Sequence, residues 1–479
     1  MNRVSKGFTT FITSVLKILL IIAIAVSSGT IYKAVNGFNI SIIFLVGIVG
    51  IALFLGYKII NSDIKKKIWF ILFIAFIVRL LWILNVDSVP NSDFKTIYNC
   101  AEKLLNGDTS MFWGTGYIAR FPHLTVMVLY MAFMRWAFPV NNLIAMKGAN
   151  LIFGVLVVYL LYLIIRELFK NEKYGLYGAL GATIFPPLVT YTATFCTENI
   201  AIPFYLLSIY LFLLGIKKNR NLALFIGCGI CLSIGNLFRM VALVVIVAYS
   251  MYILIYTNTG ILEKIKGIVS IVLPYYMILW LVSGTLQATK ITEFPLWKGS
   301  EPSITNVLKG THYESGGRWN PEDAALPEEC NYDYELIEER SKEIIKERLT
   351  TTSPTKLAKF YLKKFALQWN EGDLSGVFWS HLDAKSIKVN ISGSGTGVLQ
   401  FIYVCILVLV LIGTFNRREN DKKPEINLIY LILCGYGATY LITESQGRYS
   451  YIACWVFVIL AISGFDYIKN RYLPNRKDA

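Results

Sequence analysis

Long apolar runs recur along nearly the whole chain, and they restrict the folds that it can adopt. A helix needs roughly 17–25 predominantly apolar residues to cross the hydrocarbon core of a bilayer. Runs close to this length lie at 9–33, 39–60, 68–86, 147–166, 174–191, 199–216, 221–237, 240–257, 265–284, 396–414, 425–442 and 449–467. The pattern predicts an all-α polytopic membrane protein with about 12 transmembrane helices, juxtamembrane helices and a small extracytoplasmic domain.

The composition excludes a soluble protein. Only 16% of the 479 residues are charged, whereas soluble domains carry about 25%. The formal net charge is +15, but the basic residues stand in short clusters between apolar runs. That distribution is typical of cytoplasmic loops and not of a nucleic-acid-binding surface. We therefore expect membrane lipid, and no nucleic acid, among the partners of this chain.

The Lys and Arg clusters also predict an orientation, because cytoplasmic loops are enriched in these residues. With the N-terminus inside, every basic loop and the basic C-terminal tail fall inside as well. Those loops are 61–67, 166–173, 217–220, 263–266 and 415–423. A first long loop, 87–146, and a second long loop, 285–395, then lie outside the cytoplasm. The assignment requires that the apolar stretch 122–139 lies at the outer face without crossing.

This orientation divides the chain into four parts and predicts a multi-pass protein of the cell membrane. Residues 1–67 form two N-terminal helices that we expect to pack peripherally, and residues 68–284 form the transmembrane core. Residues 285–395 form the extracytoplasmic domain. Residues 396–479 supply C-terminal helices and a basic cytoplasmic tail.

Asp93 stands at the start of an amphipathic helix that follows a membrane span. Apolar residues recur after it at helical spacing, beginning with Phe94 and Tyr98. In one interpretation Ser92 or Asp93 caps the helix and satisfies its free amide groups. In the other, Asp93 is a general base at the membrane surface that removes a proton from an incoming hydroxyl group.

Four short motifs carry a resemblance to a known family. The first is a membrane helix that carries Arg79 some seven residues before its outer end, and the second is S-D-x-x-x-x-Y-x-x-A at 92–101. The others are R-F-P-H at 120–123 and T-E-N at 197–199. Together they resemble bacterial GT-C glycosyltransferases, the polyprenyl-phosphate-dependent enzymes related to protein mannosyltransferases and to the aminoarabinose transferases of lipid A. The resemblance implies a GT-C-like fold with an extracytoplasmic active site.

The resemblance also implies roles for individual residues. Asp93 would be the catalytic base, Glu198 matches the position of a second catalytic acid, and Lys147 matches a basic position in the family. A separate physical argument concerns Lys147, Arg239 and Arg448, which all lie at the outer boundary although cations are depleted on that side. Such cations could hold a donor phosphate, with Lys364 as a further candidate. Each could instead pair with a nearby acid or with lipid head groups.

Candidate substrate-binding residues come from the motifs and from aromatic clusters in the two long loops. Aromatic rings with adjacent polar groups bind sugars by stacking, although a Trp in a small domain is more often part of the core. The candidates are Tyr98, Arg120, His123, Arg318, Trp319, Asn320 and Glu444.

These observations predict a membrane glycosyltransferase that moves a sugar, with inversion, from a polyprenyl-phosphate donor. The acceptor is a hydroxyl group of a cell-envelope glycan, lipid or protein. No cofactor is required, because cations alone can assist a leaving monophosphate, but a divalent cation is compatible with the sequence. The alternatives are a polysaccharide polymerase, flippase or transporter of the cell envelope, and a non-enzymatic envelope scaffold.

Overall fold

A computed structural model describes residues 3–38, 41–217, 221–416 and 423–472, and its architecture is all-α as predicted. Helices make up 78% of it, and no strand occurs in the described ranges. The first ten helices are α1 (Arg3–Phe38), α2 (Ile42–Asn61), α3 (Lys67–Asn85), α4 (Ser92–Leu105), α5 (Tyr117–Arg120), α6 (Thr125–Ala137), α7 (Asn142–Phe169), α8 (Glu172–Ile184), α9 (Pro186–Thr190) and α10 (Glu198–Lys217). The others are α11 (Leu222–Phe238), α12 (Ala242–Tyr256), α13 (Ile261–Ala288), α14 (Ile304–Thr311), α15 (Pro321–Glu329), α16 (Tyr334–Thr351), α17 (Pro354–Gln368), α18 (Gly376–His381), α19 (Ser394–Gly413), α20 (Ile426–Ile442) and α21 (Trp455–Tyr472).

Each predicted apolar run overlaps at least one helix, but not every helix is long enough to cross a membrane alone. In the described part of the chain, 7 helices are long and apolar enough, and 9 are if each of two bent pairs counts as one span. One bent pair joins Ser110–Arg120 to Pro122–Ala137 with a bend of 106°. Three further apolar helices, α11, α12 and α20, are shorter. The protein is thus multi-pass, and the figure of about 12 spans stays a prediction.

The run 174–191 is not the single helix that the sequence predicts. Helix α8 ends at Ile184, and Pro186 and Pro187 begin the short helix α9. The reason is local, because a proline disfavours the helical conformation of the residue before it and has no amide proton to donate. The span is therefore broken within the apolar part of the protein.

The two N-terminal helices differ in their packing. Most of the apolar residues of helix α2 are not buried by the rest of the protein, as expected for a peripheral span. Helix α1 instead buries Leu16, Leu20 and Ala23 and packs against α19, α20 and α17. It is part of the helix bundle, which differs from the expectation of peripheral packing.

The second long loop contains helices α14 to α18, whose starts follow capping rules that are visible in the sequence. Asn320 and Ser353 each precede a proline at the first helical position, and their side chains accept hydrogen bonds from Asp323 N and Lys356 N. Asp333 caps α16 in the same way through Leu336 N. These caps fix where each helix begins.

Lys364 attaches this loop to the end of α20. Its buried Nζ donates hydrogen bonds of 2.7, 2.9 and 2.7 Å to the carbonyl oxygens of Gly310, Leu441 and Thr443. All three ammonium protons are therefore used. The predicted role of Lys364 as a donor-phosphate ligand is not supported by this geometry, because a phosphate would have to displace these carbonyl groups.

We expect Lys364→Met to lower the melting temperature of the purified protein by several degrees. The substitution leaves three carbonyl groups, one buried and two partly buried, without this donor, and a buried one costs about 1–3 kcal/mol if it stays unsatisfied. Thermal unfolding monitored by intrinsic fluorescence would measure the effect. The neighbouring Lys363 is exposed, so Lys363→Met is the matched control, and equal melting temperatures for the two variants would contradict the assignment.

Candidate active site

The broken span positions Glu198, because the chain between α9 and α10 crosses the protein interior as one 3-10 turn, Tyr191–Ala193, followed by irregular backbone. Exposed backbone polar groups are too costly in a membrane, so irregular backbone there must be buried in protein and satisfied. Every carbonyl oxygen from Thr190 to Thr194 accepts a side-chain hydrogen bond. The donors are Trp82 to Thr190, Asn199 to Tyr191, Asn150 to Thr192 and Thr194, and Ser88 to Ala193.

Arg79 holds the other side of the break. Its guanidinium group is fully buried, and Nη2 donates to the carbonyl oxygen of Ala182, in the last turn of α8, at 3.2 Å. Cations are favourable at helix C-termini, where carbonyl groups lack helical partners. Gly154 leaves room for it, because a Cβ there would lie 2.7 Å from Arg79 Nε. Arg79 thus has a structural role in ending α8.

Glu198 is the first residue of α10 and forms a buried ion pair with Arg239. Glu198 Oε1 lies 3.4 Å from Arg239 Nε, and Thr197 Oγ1 donates to Glu198 Oε2 at 3.0 Å. Arg239 directly follows α11, and its carbonyl oxygen accepts a hydrogen bond from Tyr205. The structure therefore brings together one predicted acid and one predicted cation.

Arg448 connects this ion pair to Asp93. Arg448 Nη2 lies 3.5 Å from Asp93 Oδ2, and its charge also interacts with Glu198. The Arg448 side chain is only 7% exposed. Its Nε and Nη1 have no hydrogen-bond partner in the described part of the chain. Buried donors are normally satisfied, so these two N–H groups mark a place where an anion would gain hydrogen bonds.

Three aromatic rings surround the guanidinium group of Arg448. Their centroids lie 4.9, 4.8 and 5.4 Å from Arg448 Cζ, for Phe94, Trp379 and Tyr449 respectively. The faces of such rings attract a cation and exclude water. The Tyr449 ring also lies 5.2 Å from Arg239 Cζ. Arg239 and Arg448 therefore both contact the ring of Tyr449, on one aromatic side of the site.

Asp93 is the carboxylate of this cluster that faces solvent, with its side chain 50% exposed. It lies in the first turn of α4, and Tyr117 is within hydrogen-bonding reach of its carboxylate. Among the described residues no side-chain cap hydrogen bond forms at the start of α4. The capping interpretation is thus not supported, and the carboxylate is accessible for chemistry.

Lys147 lies in a neighbouring ion pair and is not a direct contact of Asp93. Its Nζ lies 3.4 Å from Asp87 Oδ1 and donates to the carbonyl oxygen of Ser88 at 3.2 Å. Asp87 belongs to a short stretch in which Val86 forms a β-bridge with Ile387 of the second long loop. Lys147 therefore belongs to a separate ion pair with Asp87 and does not join Arg239 and Arg448.

The predicted substrate-binding residues fall into two groups. His123 and Glu444 border the cluster, because His123 interacts with Arg239 and Glu444 accepts a hydrogen bond of 3.1 Å from Tyr449. The others make separate structural contacts or are exposed. Tyr98 bonds Asn142, Arg120 pairs with Glu301, Asn320 caps α15, and Arg318 and Trp319 are exposed in the second long loop.

Some residues near the site could not be predicted from the sequence, above all those of the turn at 374–375, after α17. Leu374 and Ser375 both have positive φ values, 52° and 67°, and Ser92 beside Asp93 has φ 46°. A Cβ on Gly447 would lie 2.9 Å from Ser375 Oγ, so this turn contacts the residue before Arg448.

Metal ligands are not grouped in this region. In the described ranges no three His, Cys, Asp or Glu side chains lie close enough together to hold a metal ion. All eight cysteines, each within those ranges, are free thiols, including Cys100 and Cys330.

Asp373 should make the stability of the protein pH-dependent. Burial raises the pKa of this carboxyl group to about 6. The folded state then binds more protons than the unfolded state between about pH 4 and 6, so this contribution to stability is lost as the pH rises through 6. We expect Asp373→Asn to raise the melting temperature, relative to the wild type, more at pH 7.5 than at pH 4, where Asp373 is protonated in the folded protein. An identical difference at both pH values would contradict this.

The sequence of the chain is similar to a known family over part of its length. Residues 113–286 match the model of a family described as dolichyl-phosphate-mannose-protein mannosyltransferase. This part includes Lys147, Glu198 and Arg239, whereas Asp93 and Arg448 lie outside it. No curated protein gives a significant match.

Two solved structures from Archaeoglobus fulgidus are similar to the chain. The oligosaccharyltransferase in the apo form is 15% identical with a TM-score of 0.45, covering 86% of this chain and 51% of that chain. The oligosaccharyltransferase AglB in complex with an inhibitory peptide and a dolichol-phosphate is 14% identical with a TM-score of 0.44, covering 85% and 51%. The chain thus spans about half the length of these proteins. The family match agrees with the resemblance found in the sequence: residues 113–286 are similar to the protein mannosyltransferase family.

Proposed function

We propose that this protein transfers a sugar from a polyprenyl-phosphate donor to a hydroxyl acceptor at the extracytoplasmic face of the cell membrane. The observation that carries the proposal is Arg448, a buried cation beside the solvent-facing Asp93, with two N–H groups that lack a partner in the described ranges. A phosphate oxygen accepts such bonds, and charge-assisted hydrogen bonds are the strong ones.

The donor head group would lie between Arg448 and Arg239. Both guanidinium groups contact the ring of Tyr449, which places them on one wall of the site. Two cations neutralise charge on a leaving phosphate in a site from which water is excluded. Glu198 then keeps Arg239 in place as its buried counter-ion, a positioning role in addition to the catalytic role that the family resemblance implies.

Asp93 would act as the general base. It takes the proton of the acceptor hydroxyl group as the acceptor oxygen attacks the anomeric carbon from the face opposite the phosphate. The bond between the anomeric carbon and the phosphate oxygen breaks, and polyprenyl phosphate leaves with both bonding electrons. Transfer in one displacement inverts the anomeric configuration.

Two observations support the choice of acceptor, namely the exposure of Asp93 and the family match. Half of the Asp93 side chain is exposed, so a water-soluble chain can approach from that side. The family description names a protein as acceptor, and the archaeal structure contains a peptide and a dolichol-phosphate. We therefore propose a hydroxyl group of an envelope protein, glycan or lipid, with the protein as the first acceptor to test.

Asp93→Asn should lower kcat by roughly 10²–10⁴-fold, the usual contribution of a general base. Purified protein in nanodiscs, a radiolabelled polyprenyl-phosphate sugar and envelope acceptors would provide the assay. Asp108→Asn is the matched control, because this exposed carboxylate caps a turn at the other end of the same helix. Wild-type turnover of Asp93→Asn would remove Asp93 from the mechanism.

Arg448→Gln should weaken both transfer and inhibition by the product polyprenyl phosphate. The loss of a buried cation at a phosphate would reduce kcat/KM by at least about 100-fold. Arg340 is exposed on α16, so Arg340→Gln shows the effect of removing an unrelated guanidinium group. Unchanged product inhibition in Arg448→Gln would exclude the proposed phosphate site.

A further inference from the structure

A cavity of about 240 Å³ lies in the second long loop, between the ends of α14 and α16 and the first turns of α17. Its lining mixes polar, aliphatic and aromatic side chains, and the cluster around Arg448 contributes none of the described residues that line it. The cavity is therefore a site separate from the candidate active site.

An ion pair holds the walls of this cavity together. Arg348 on α16 donates from Nη2 to Asp323 Oδ1 at 2.8 Å and from Nη1 to Asp323 Oδ2 at 3.1 Å. Arg348 Nη1 also donates to the carbonyl oxygen of Leu308 on α14 at 3.1 Å. The Asp323 side chain is only 2% exposed. Because one guanidinium group joins α14, α15 and α16, the cavity is already formed in the folded protein.

His312 gives the cavity a polar side with defined donors and acceptors. Its Nδ1 accepts a hydrogen bond of 3.1 Å from Ser315 N, so Nε2 is the N–H that faces Glu322 Oε2 at 3.3 Å. The Glu322 side chain is 78% exposed. Its carboxylate can therefore accept further hydrogen bonds from a ligand.

Tyr313 and Phe360 form an aromatic side of the same cavity. Their ring centroids lie 5.5 Å apart with an interplanar angle of 28°. Phe360 is buried and supports Tyr313, which is 39% exposed. Lys356 Nζ lies 4.3 Å from the centroid of Tyr313 and adds a hydrogen-bond donor. An open aromatic ring near a carboxylate suits a ligand that has an apolar face and hydroxyl groups.

The charges around the cavity favour a neutral ligand. Arg348 is neutralised by Asp323. Two exposed carboxylates, Glu314 and Glu322, line the cavity, and Lys356 is the cation beside them. The cavity therefore has no excess of positive charge to attract a phosphate. Its volume is also below the roughly 300–1,000 Å³ of sites for drug-sized ligands, so it has room for one small ring and not for an oligosaccharide.

Two backbone hydrogen bonds attach this part of the loop to the segment that carries Arg448. Glu444 N donates to the carbonyl oxygen of Asn306 in α14, and Ser445 N donates to that of Gly317, both at 2.8 Å. Helix α14 ends in the wall of the cavity. Direct contacts therefore connect the cavity wall to the segment that follows α20.

We propose that this cavity binds one neutral sugar unit of a glycan acceptor, at a position other than the hydroxyl group that receives the transferred sugar. The proposal rests on the proposed function and selects the glycan among its acceptor classes. The sugar ring stacks on Tyr313, and its hydroxyl groups donate hydrogen bonds to Glu322. The cavity lies outside the matched family segment, residues 113–286, so it adds a substrate contact that the segment does not contain.

Binding of simple sugars tests the cavity without turnover. Ligand-observed NMR would measure the Kd of the methyl glycosides of glucose, galactose, mannose and N-acetylglucosamine. For the glycoside that binds best, Tyr313→Ala should raise the Kd at least about fivefold, and Tyr313→Phe, which keeps the ring, should stay within about twofold. Glu322→Gln should raise it at least about threefold, because a charged acceptor is lost.

Glu329→Gln is the matched control for Glu322→Gln. Glu329 is exposed on the same helix and does not line the cavity, so its Kd should equal that of the wild type. Binding by none of the four glycosides, or an unchanged Kd in Tyr313→Ala, would overturn the proposal. A serine-rich peptide whose binding depends on Tyr313, in place of the glycosides, would also overturn it and assign the cavity to a protein acceptor.

The transfer assay separates acceptor binding from the chemistry. With a soluble envelope oligosaccharide as acceptor, Tyr313→Ala should raise the acceptor KM at least about fivefold and leave kcat within about twofold. With a serine-rich peptide as acceptor, neither value should change. An equal change with both acceptors, or a fall in kcat alone, would overturn the proposal. Absence of transfer by the wild type, with Tyr313-dependent glycoside binding intact, would instead refute the proposed function.

Discussion

Two guanidinium groups buried next to two carboxylates constrain this fold more than any other interaction. An unpaired charge in an apolar interior is too costly to persist, so Arg239 and Arg448 require Glu198 and Asp93 nearby. These four residues come from the first turn of α4, the start of α10, the end of α11 and the turn before α21. Their pairing therefore draws together parts of the chain that are hundreds of residues apart, and it leaves two N–H groups of Arg448 for an anion.

The broken span explains how one of these carboxylates reaches its position. If residues 174–191 formed one continuous helix, the buried non-α-helical segment that leads from α9 to Glu198 would not exist. Breaking it frees backbone carbonyl groups inside the protein, and the side chains of Trp82, Asn150 and Asn199 satisfy them. Arg79 neutralises the end of α8. Polar residues that appear isolated in an apolar sequence thus stabilise the irregular segment that positions Glu198.

The sequence alone could predict the helices and the charged ends of the site, because both depend on local patterns. Apolar runs predicted the helices, and the position of Asp93, Glu198, Arg239 and Arg448 at the ends of such runs identified them as candidates. It could not predict partners that depend on three-dimensional packing. Lys364 was expected at a phosphate and instead bonds three carbonyl groups. The aromatic rings around Arg448, including Trp379, lie far from it in sequence.

The exposure of Asp93 has a consequence for the order in which such an enzyme would bind its acceptor and cleave its donor. Half of its side chain is exposed, while the guanidinium group beside it is buried. A carboxylate that can deprotonate a hydroxyl group can also deprotonate water, which is always present. On the proposed mechanism, a bound donor would therefore be hydrolysed slowly whenever no acceptor was in place. To avoid this loss of donor, binding of the acceptor would have to complete the alignment of the phosphate. The bond between the sugar and the phosphate would then break only when an acceptor is bound.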